Sequence, residues 1–360
     1  MSKHKGQPLQ ERITIAGKLR EAKRPVAESV TDEFFRRHPD WLARYGARGR
    51  ALGIEDAGYH IEFLAGAIEC GSPAQFEDYA RWSSRMLKSR GIDPQFVAEN
   101  FRQIGAELNR CLLDSSAETI SAYVEAGSLA CFDQMAGGAQ EEEEEEEEVG
   151  GSKLAQTQRL FLEAILKGQR KAATNLALET LKDGHTISDV YIDIFQESQY
   201  QLGRLWETNK ISVAEEHMAT AITQYVIAQV YPVIESADTV RGKMVVTGVE
   251  GEIHQIGANM VADVLESVGW DVRFLGTNMP HQGILRAVEE HGAGVIGIST
   301  TMLFNVPKAI HLVSSLRDRF GTENLRIIVG GAVFRSAPEL YLEIGADDYA
   351  PDLRAILAMI

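Results

Sequence analysis

From Lys243 onward, short β-branched runs alternate with amphipathic stretches of helical length, and no other feature of the chain narrows its fold as much. The runs are MVVTG at 244, VRFLG at 272, VIGIST at 295 and RIIVGG at 326, followed by a short edge at Asp347 to Tyr349. Strands that are apolar throughout, instead of alternating, are buried on both faces, and helices between them are the crossovers that parallel pairing requires. The expectation for residues 241–360 is therefore a doubly wound parallel sheet of the Rossmann-like or flavodoxin-like kind. Such sheets bind ligands at the carboxyl ends of their strands, near the point where strand order reverses. The loop after the first run, within 247-TGVEGEIHQIGANM-260, puts His254 at that place.

The remainder reads as helix. Residues 153–236 carry a helical apolar period broken at Lys167-Gly168, at Asp183-Gly184 and around Asn209, which predicts four helices. Upstream, residues 31–135 look wholly helical: Phe96, Val97, Phe101, Ile104, Leu108 and Leu112 recur at steps of one to four, and Ile61, Leu64 and Ile68 do the same. Ser72-Pro73 and Asp93-Pro94 each pair an N-cap residue with proline at the first helical position. Between the two helical blocks, the run Glu141 to Glu148 is flanked by Gly137-Gly138 and by Gly150 to Ser152. Adjacent like charges repel and bury no face, so 136–152 reads as a solvated acidic linker. The chain then divides into a helical domain at 1–135, that linker, a four-helix block at 153–236 and the α/β domain at 241–360.

The net charge of −16 argues against a nucleic-acid surface, although half of it comes from the glutamate run and the excess elsewhere is −8. No apolar run has membrane-spanning length, and MSKHKGQP at the amino end lacks the apolar segment of a secretory signal, so the expected location is the cytoplasm. Cys70, Cys111 and Cys131 are odd in number and far apart, and read as reduced, packed thiols.

In an extended loop Glu252 and His254 project to one side, where the carboxylate can accept from one imidazole nitrogen and leave the other as a basic metal ligand. Gly257 lets the backbone approach a bulky group. A loop histidine beside a glutamate is, taken alone, also an ordinary surface feature. Gly248, Gly251 and Gly257 do not reproduce the dinucleotide fingerprint, which weighs against a nicotinamide enzyme. The wider constellation of Glu252, His254, Gly257, Ser299 and Gly330-Gly331 resembles the cobalamin-binding module of methionine synthase, the mutases and the corrinoid photoreceptors. That resemblance implies that His254 displaces the dimethylbenzimidazole tail and becomes the lower ligand of cobalt. Ser299, Gly330 and Gly331 would line the slot for the displaced tail. Glu252 stands where aspartate is commoner, and Thr301 where leucine often occurs.

The second helical block contains 206-WETNKISVAEEHMAT-220. Trp206, with Val213 and Glu216-His217 at this spacing, resembles the cap of the light-sensing repressors of the CarH type, which implies adenosylcobalamin with those residues around its adenosyl group. Glu207 stands where those repressors carry a second cobalt-binding histidine. Their winged-helix domain is missing, and the amino-terminal domain instead resembles globin-like sensor modules, with 59-YHIEFLAGAIECG-71 as the helix bearing a pocket histidine. No histidine lies between His60 and the linker to serve as a proximal haem ligand. The combination resembles the photocobilins, photoreceptors that hold biliverdin beside adenosylcobalamin. Tyr59, His60, Trp82 and Arg85 would then supply aromatic walls and a cation for the bilin. The resemblance implies a light sensor, not an enzyme, with no catalytic acid or base, light-dependent assembly into a homo-oligomer, no direct nucleic-acid or membrane contact, and output through an appended domain or partner protein. Two other readings stay open: a corrinoid methyl carrier serving separate methyltransferases, and a cobalamin-dependent antirepressor that acts on a transcription factor.

Overall fold

The structure, a computed structural model, describes residues 7–112, 116–133, 152–234 and 241–360. Most of the acidic linker expected at 136–152 lies outside them. The described residues of the amino-terminal unit are helical: α1 (Leu9–Arg37), α2 (Pro39–Cys70), α3 (Pro73–Lys88), α4 (Pro94–Leu112) and α5 (Ser116–Ala130). Helix begins at Leu9, well before residue 31, because Ile15, Ala16, Leu19, Val26, Ala27 and Val30 form a buried stripe that outweighs the break signal of Pro25. Pro39, Pro73 and Pro94 each open a helix, where the missing N–H costs nothing. The Asp93 carboxylate caps α4 by accepting from the Gln95 N–H at 2.9 Å. Within α2 the helix breaks at Gly46, whose φ of 58° and ψ of −154° suit glycine.

The predicted stripes are buried at Ile61, Leu64, Ile68, Val97, Phe101, Ile104 and Leu108. Phe96 and Leu112, at the two ends of α4, are only partly covered, Phe96 packing against Trp41 at 4.8 Å between ring centres. One thiol departs from expectation. Cys70 and Cys131 are buried, but Cys111 is exposed, since it sits at the edge of the stripe in the last turn of α4.

The carboxyl-terminal unit begins with the four expected helices: α6 (Lys153–Leu166), α7 (Arg170–Lys182), α8 (187–207) and α9 (Val213–Val230). Gly168, Gly184 and Asn209 mark the breaks because all three adopt positive φ, at 72°, 92° and 59°. Thr186 and Ser212 close capping boxes with Asp189 and Glu215. The middle of α8, Val190–Gln196, is wound as a π-helix and buries Tyr191, Ile194 and Phe195.

Five strands follow, β1 (Gly242–Gly248), β2 (Trp270–Phe274), β3 (Val295–Ser299), β4 (Arg326–Gly330) and β5 (Asp348–Ala350), all parallel in the order β2-β1-β3-β4-β5. This is the doubly wound order whose switch point lies between β1 and β3. Three longer helices pack on it: α10 (Ile256–Ser267), α11 (His281–His291) and α12 (Val306–Phe320). The helical block and the sheet share one apolar core, in which Phe161, Tyr191, Phe195 and Val226 meet Met244, Val246 and Leu265. Polar links reinforce it: Tyr191 donates to Asp263 at 2.7 Å, Tyr231 to Glu266 at 2.6 Å, and Arg354 to Asp193 at 2.9 Å.

His60 is 6 % exposed in the amino-terminal unit, with its Nδ1 2.7 Å from the Tyr79 hydroxyl and Phe101 against its ring at 4.8 Å. Burial pushes this imidazole down to about 4. Below about pH 6.5 the unfolded chain takes up a proton that the folded chain refuses until about pH 4. The associated stability is present above the unfolded value and is lost as pH falls toward 4, by roughly 3 kcal/mol in all. In denaturant titrations of the full chain between pH 7 and 4.5, His60→Gln should flatten that fall; an unchanged slope would show that His60 does not titrate in this window.

Candidate functional site

The site grows from the carboxyl edge of the sheet. β1 is buried over its last five residues and ends at Gly248, after which the chain turns through Gly251, at a φ of 81°, and reaches Glu252. That carboxylate is fully buried. Its Oε1 accepts from His254 Nδ1 at 2.6 Å and from the His254 backbone N–H at 3.1 Å. Its Oε2 accepts from the Thr301 backbone N–H at 2.8 Å. Burial alone would push the Glu252 carboxyl up, but the bonds from the imidazole and the two amides outweigh it and hold the group down at about 2. An ionised carboxylate only accepts, so Nδ1 carries a proton, and in the neutral imidazole the lone pair lies on Nε2. The His254 side chain is half exposed, so that lone pair can reach an incoming ligand.

The rest of the edge is set by register. Gly248 pairs with Ser299, Ser299 with Gly330, and Gly330 with Ala350, so the predicted serine and first glycine stand side by side across the ends of β3 and β4. Gly331 follows at a φ of 99°, and a Cβ there would lie 2.3 Å from the Thr300 carbonyl oxygen. Only glycine fits. Gly257, in the first turn of α10, has open space where a Cβ would stand. Thr300 is completely buried, yet its hydroxyl has no partner among the described residues. An orphan hydroxyl beside Ser299 and an unfilled glycine are what a bound polar group at this edge would satisfy and fill.

Two features of the site escape side-chain patterns. Thr301 acts through its backbone amide, so the departure from leucine leaves the contact intact. Asn278, at a φ of 56°, accepts from the Gly251 N–H at 2.8 Å and ties the β2 loop to the histidine loop; a positive-φ asparagine within GTN is a turn signal that could have marked it.

The cap residues flank one turn. Trp206, part-buried, ends α8, while Val213, Glu216 and His217 occupy the first turns of α9. Glu216 accepts from Thr220 at 2.9 Å and lies 2.6 Å from His217 Nδ1. Glu207 is buried, so the side chain at the position of the repressors' second histidine is turned inward. The bilin candidates are not gathered on one face. Tyr59 is 49 % exposed whereas His60, its neighbour on α2, is in the core, as successive residues about 100° apart on a helix must diverge. Arg85 is exposed and Trp82 part-buried. The aromatic residues nearest His60 are instead Tyr79, stacked on Phe63 at 3.8 Å, and Phe101.

Comparison with known proteins shows which cofactor this kind of domain binds. Residues 242–357 match the B12 binding domain, and residues 157–231 match a second B12 binding domain family that covers the helical block. Dimethylamine corrinoid protein 3 of Methanosarcina mazei is 30 % identical over 116 residues, which are 32 % of this chain and 68 % of that protein. This chain belongs to the B12-binding family. Dimethylamine corrinoid protein 1 of Methanosarcina acetivorans is 28 % identical over 192 residues, 52 % of this chain and 89 % of that one. The solved monomethylamine corrinoid protein of Methanosarcina barkeri shares the fold at a TM-score of 0.50 and 21 % identity, over 55 % of this chain and 95 % of its own. As a cobalamin-binding corrinoid protein, this chain accounts for the geometry above. Among the described residues no cluster of three or more histidine, cysteine or acidic side chains is placed to hold an ion.

Two variants test the site. Glu252→Ala should weaken cobalamin binding about 10- to 100-fold by freeing the imidazole, with His254→Ala weaker still; equal affinity in either would remove His254 from cobalt. Gly331→Ala should destabilise the unit by about 1–3 kcal/mol from backbone strain alone, measured by thermal unfolding.

Proposed function

We propose that this chain is a corrinoid carrier: it holds cobalamin with its own base displaced and His254 on cobalt, and presents the group bound above the ring to a separate partner protein, without being an enzyme itself. The observation that carries this reading is the fully buried Glu252, which fixes the His254 proton on Nδ1 and ties the histidine loop to Thr301. When bound, the cofactor would supply a cobalt-carbon bond that breaks either as its carbon group goes to a nucleophile, leaving the electron pair on cobalt, or homolytically in light. The chain's own residues do the rest. Glu252 orients the imidazole, Ser299 and Thr300 offer hydroxyls to the displaced tail, and Gly330, Gly331 and Gly257 leave it room. The names of the matched relatives, dimethylamine corrinoid proteins, support a methyl group as the cargo and a methyltransferase-type protein as the partner.

A second reading rests on specific observations. Trp206, Val213, Glu216 and His217 flank a single turn of the cap, which suits an enclosure for an adenosyl group. The family matches begin at residue 157, so the helical amino-terminal unit and its aromatic cluster lie outside them. Together these favour a cytoplasmic adenosylcobalamin light sensor whose globin-like amino-terminal domain holds biliverdin, with light-dependent homo-oligomer assembly. Among the described residues no helix is long and apolar enough to cross a membrane.

One set of measurements separates the two. The carrier reading expects methylcobalamin to bind at least as tightly as adenosylcobalamin, a base-off spectrum, and no change of sedimentation under green light. The sensor reading expects adenosylcobalamin to be preferred, sedimentation to change on illumination, and a red-absorbing band in protein co-expressed with a haem oxygenase. A base-on spectrum of the wild-type protein would overturn both.

A further inference from the structure

On the same unit, outside the hydrogen-bond network of Glu252, His254 and Thr301, two histidines on different helices face each other. His281 is the first residue of α11 and His311 lies in the second turn of α12, and their ring centres are 4.3 Å apart with planes inclined by 32°. His281 is part-buried and His311 exposed. Neither ring nitrogen pair has a hydrogen-bond partner among the described residues, so the two imidazoles are brought together with their donor atoms unspent.

We propose that His281 and His311 form a two-imidazole site for one divalent transition-metal ion of the zinc class, with water completing its coordination. The separation fits. A metal–nitrogen bond of about 2.0–2.1 Å puts each ring centre roughly 3 Å from the ion, so two imidazoles sharing it at ordinary coordination angles stand about 4.5–5 Å apart. Opening from 4.3 Å to that spacing needs only side-chain adjustment, because the two rings are carried by separate helices. The donor type selects the ion: neutral imidazole suits zinc, nickel, cobalt and copper, whereas magnesium and calcium take oxygen ligands. Burial first and the neighbouring His311 second lower the proton affinity of His281. The negative charge of Glu250 acts on the same ring and provides a counter-charge for a cation. Its loop is held near α11 by the bond from the Gly251 N–H to Asn278.

Calorimetric titration of the cobalamin-free full chain with zinc chloride tests this directly. The expected result is one site per chain that loses at least about tenfold in affinity in His281→Ala and, separately, in His311→Ala, since a lost ligand costs no less than a lost supporting residue. The site should persist in His254→Ala, which separates it from the cobalamin site, and magnesium chloride should give no saturable heat. Because each variant changes one surface residue on a different helix, circular dichroism of both should match the wild type. Absence of zinc binding by the folded wild-type chain, or zinc binding unchanged in both alanine variants, would overturn the proposal.

Discussion

A single buried charge organises the carboxyl edge of the sheet. Glu252 has lost all contact with solvent, and an isolated carboxylate in that position would cost several kcal/mol. Three donors offset the loss: the His254 imidazole, the His254 amide and the Thr301 amide. Those donors come from two loops, one after β1 and one after β3, so solvating the charge and joining the loops at the switch point are the same event. The imidazole is left with one orientation and one tautomer. Its second nitrogen therefore points outward as a ligand before any metal arrives, and the ordering cost of ligation has been met in folding.

The edge has also been kept narrow and bare for a reason that sterics make plain. Gly331 cannot carry a side chain, because its Cβ would strike the Thr300 carbonyl, and Gly248 faces Thr277 at 2.6 Å in the same sense. Gly257 is different, since nothing within 4 Å would obstruct a side chain there. The first two glycines are demanded by the fold itself, whereas packing within the chain makes no such demand at the third. The Thr300 hydroxyl, buried and unpaired beside Ser299, points to the same conclusion from the polar side. The Trp270 indole N–H is buried without a partner among the described residues as well, so it is the position of the Thr300 hydroxyl, next to Ser299 at the carboxyl end of β3, that makes it available to a ligand atom.

How legible this was depends on whether the information is local. Apolar runs buried on both faces announce parallel strands, and the helix breaks at Gly168, Gly184 and Asn209 were visible because positive φ restricts the residue type. The Glu252-His254 pair was legible because two positions in an extended loop share a side. The Thr301 amide was not, since a backbone donor leaves no mark on residue identity, and neither was the pairing of His281 with His311, thirty residues apart on separate helices. In the amino-terminal unit, Tyr59 and His60 look equivalent as candidates until the helix phase is fixed. Only then does one face outward and the other join Tyr79 and Phe101 in the core. The helix from Leu9 lies mostly ahead of the span 31–135 that the sequence marks as helical, and it runs through Pro25 because Val26 and Ala27 belong to a stripe that tertiary packing rewards.

The helical block is bound to the sheet through one buried face. Its π-wound segment buries Tyr191, which donates to Asp263 on α10, and burial raises that carboxyl to about 6 despite the bond. A π segment gives up regular helical hydrogen bonding to re-aim its side chains, and here it places Tyr191, Ile194 and Phe195 in the core shared with the sheet. By contrast Val213 is 57 % exposed at the start of α9, and Ile253, directly before His254, is 76 % exposed. Apolar side chains left this open contribute little to folding, so neither residue is held in place by the packing that fixes the π-wound segment.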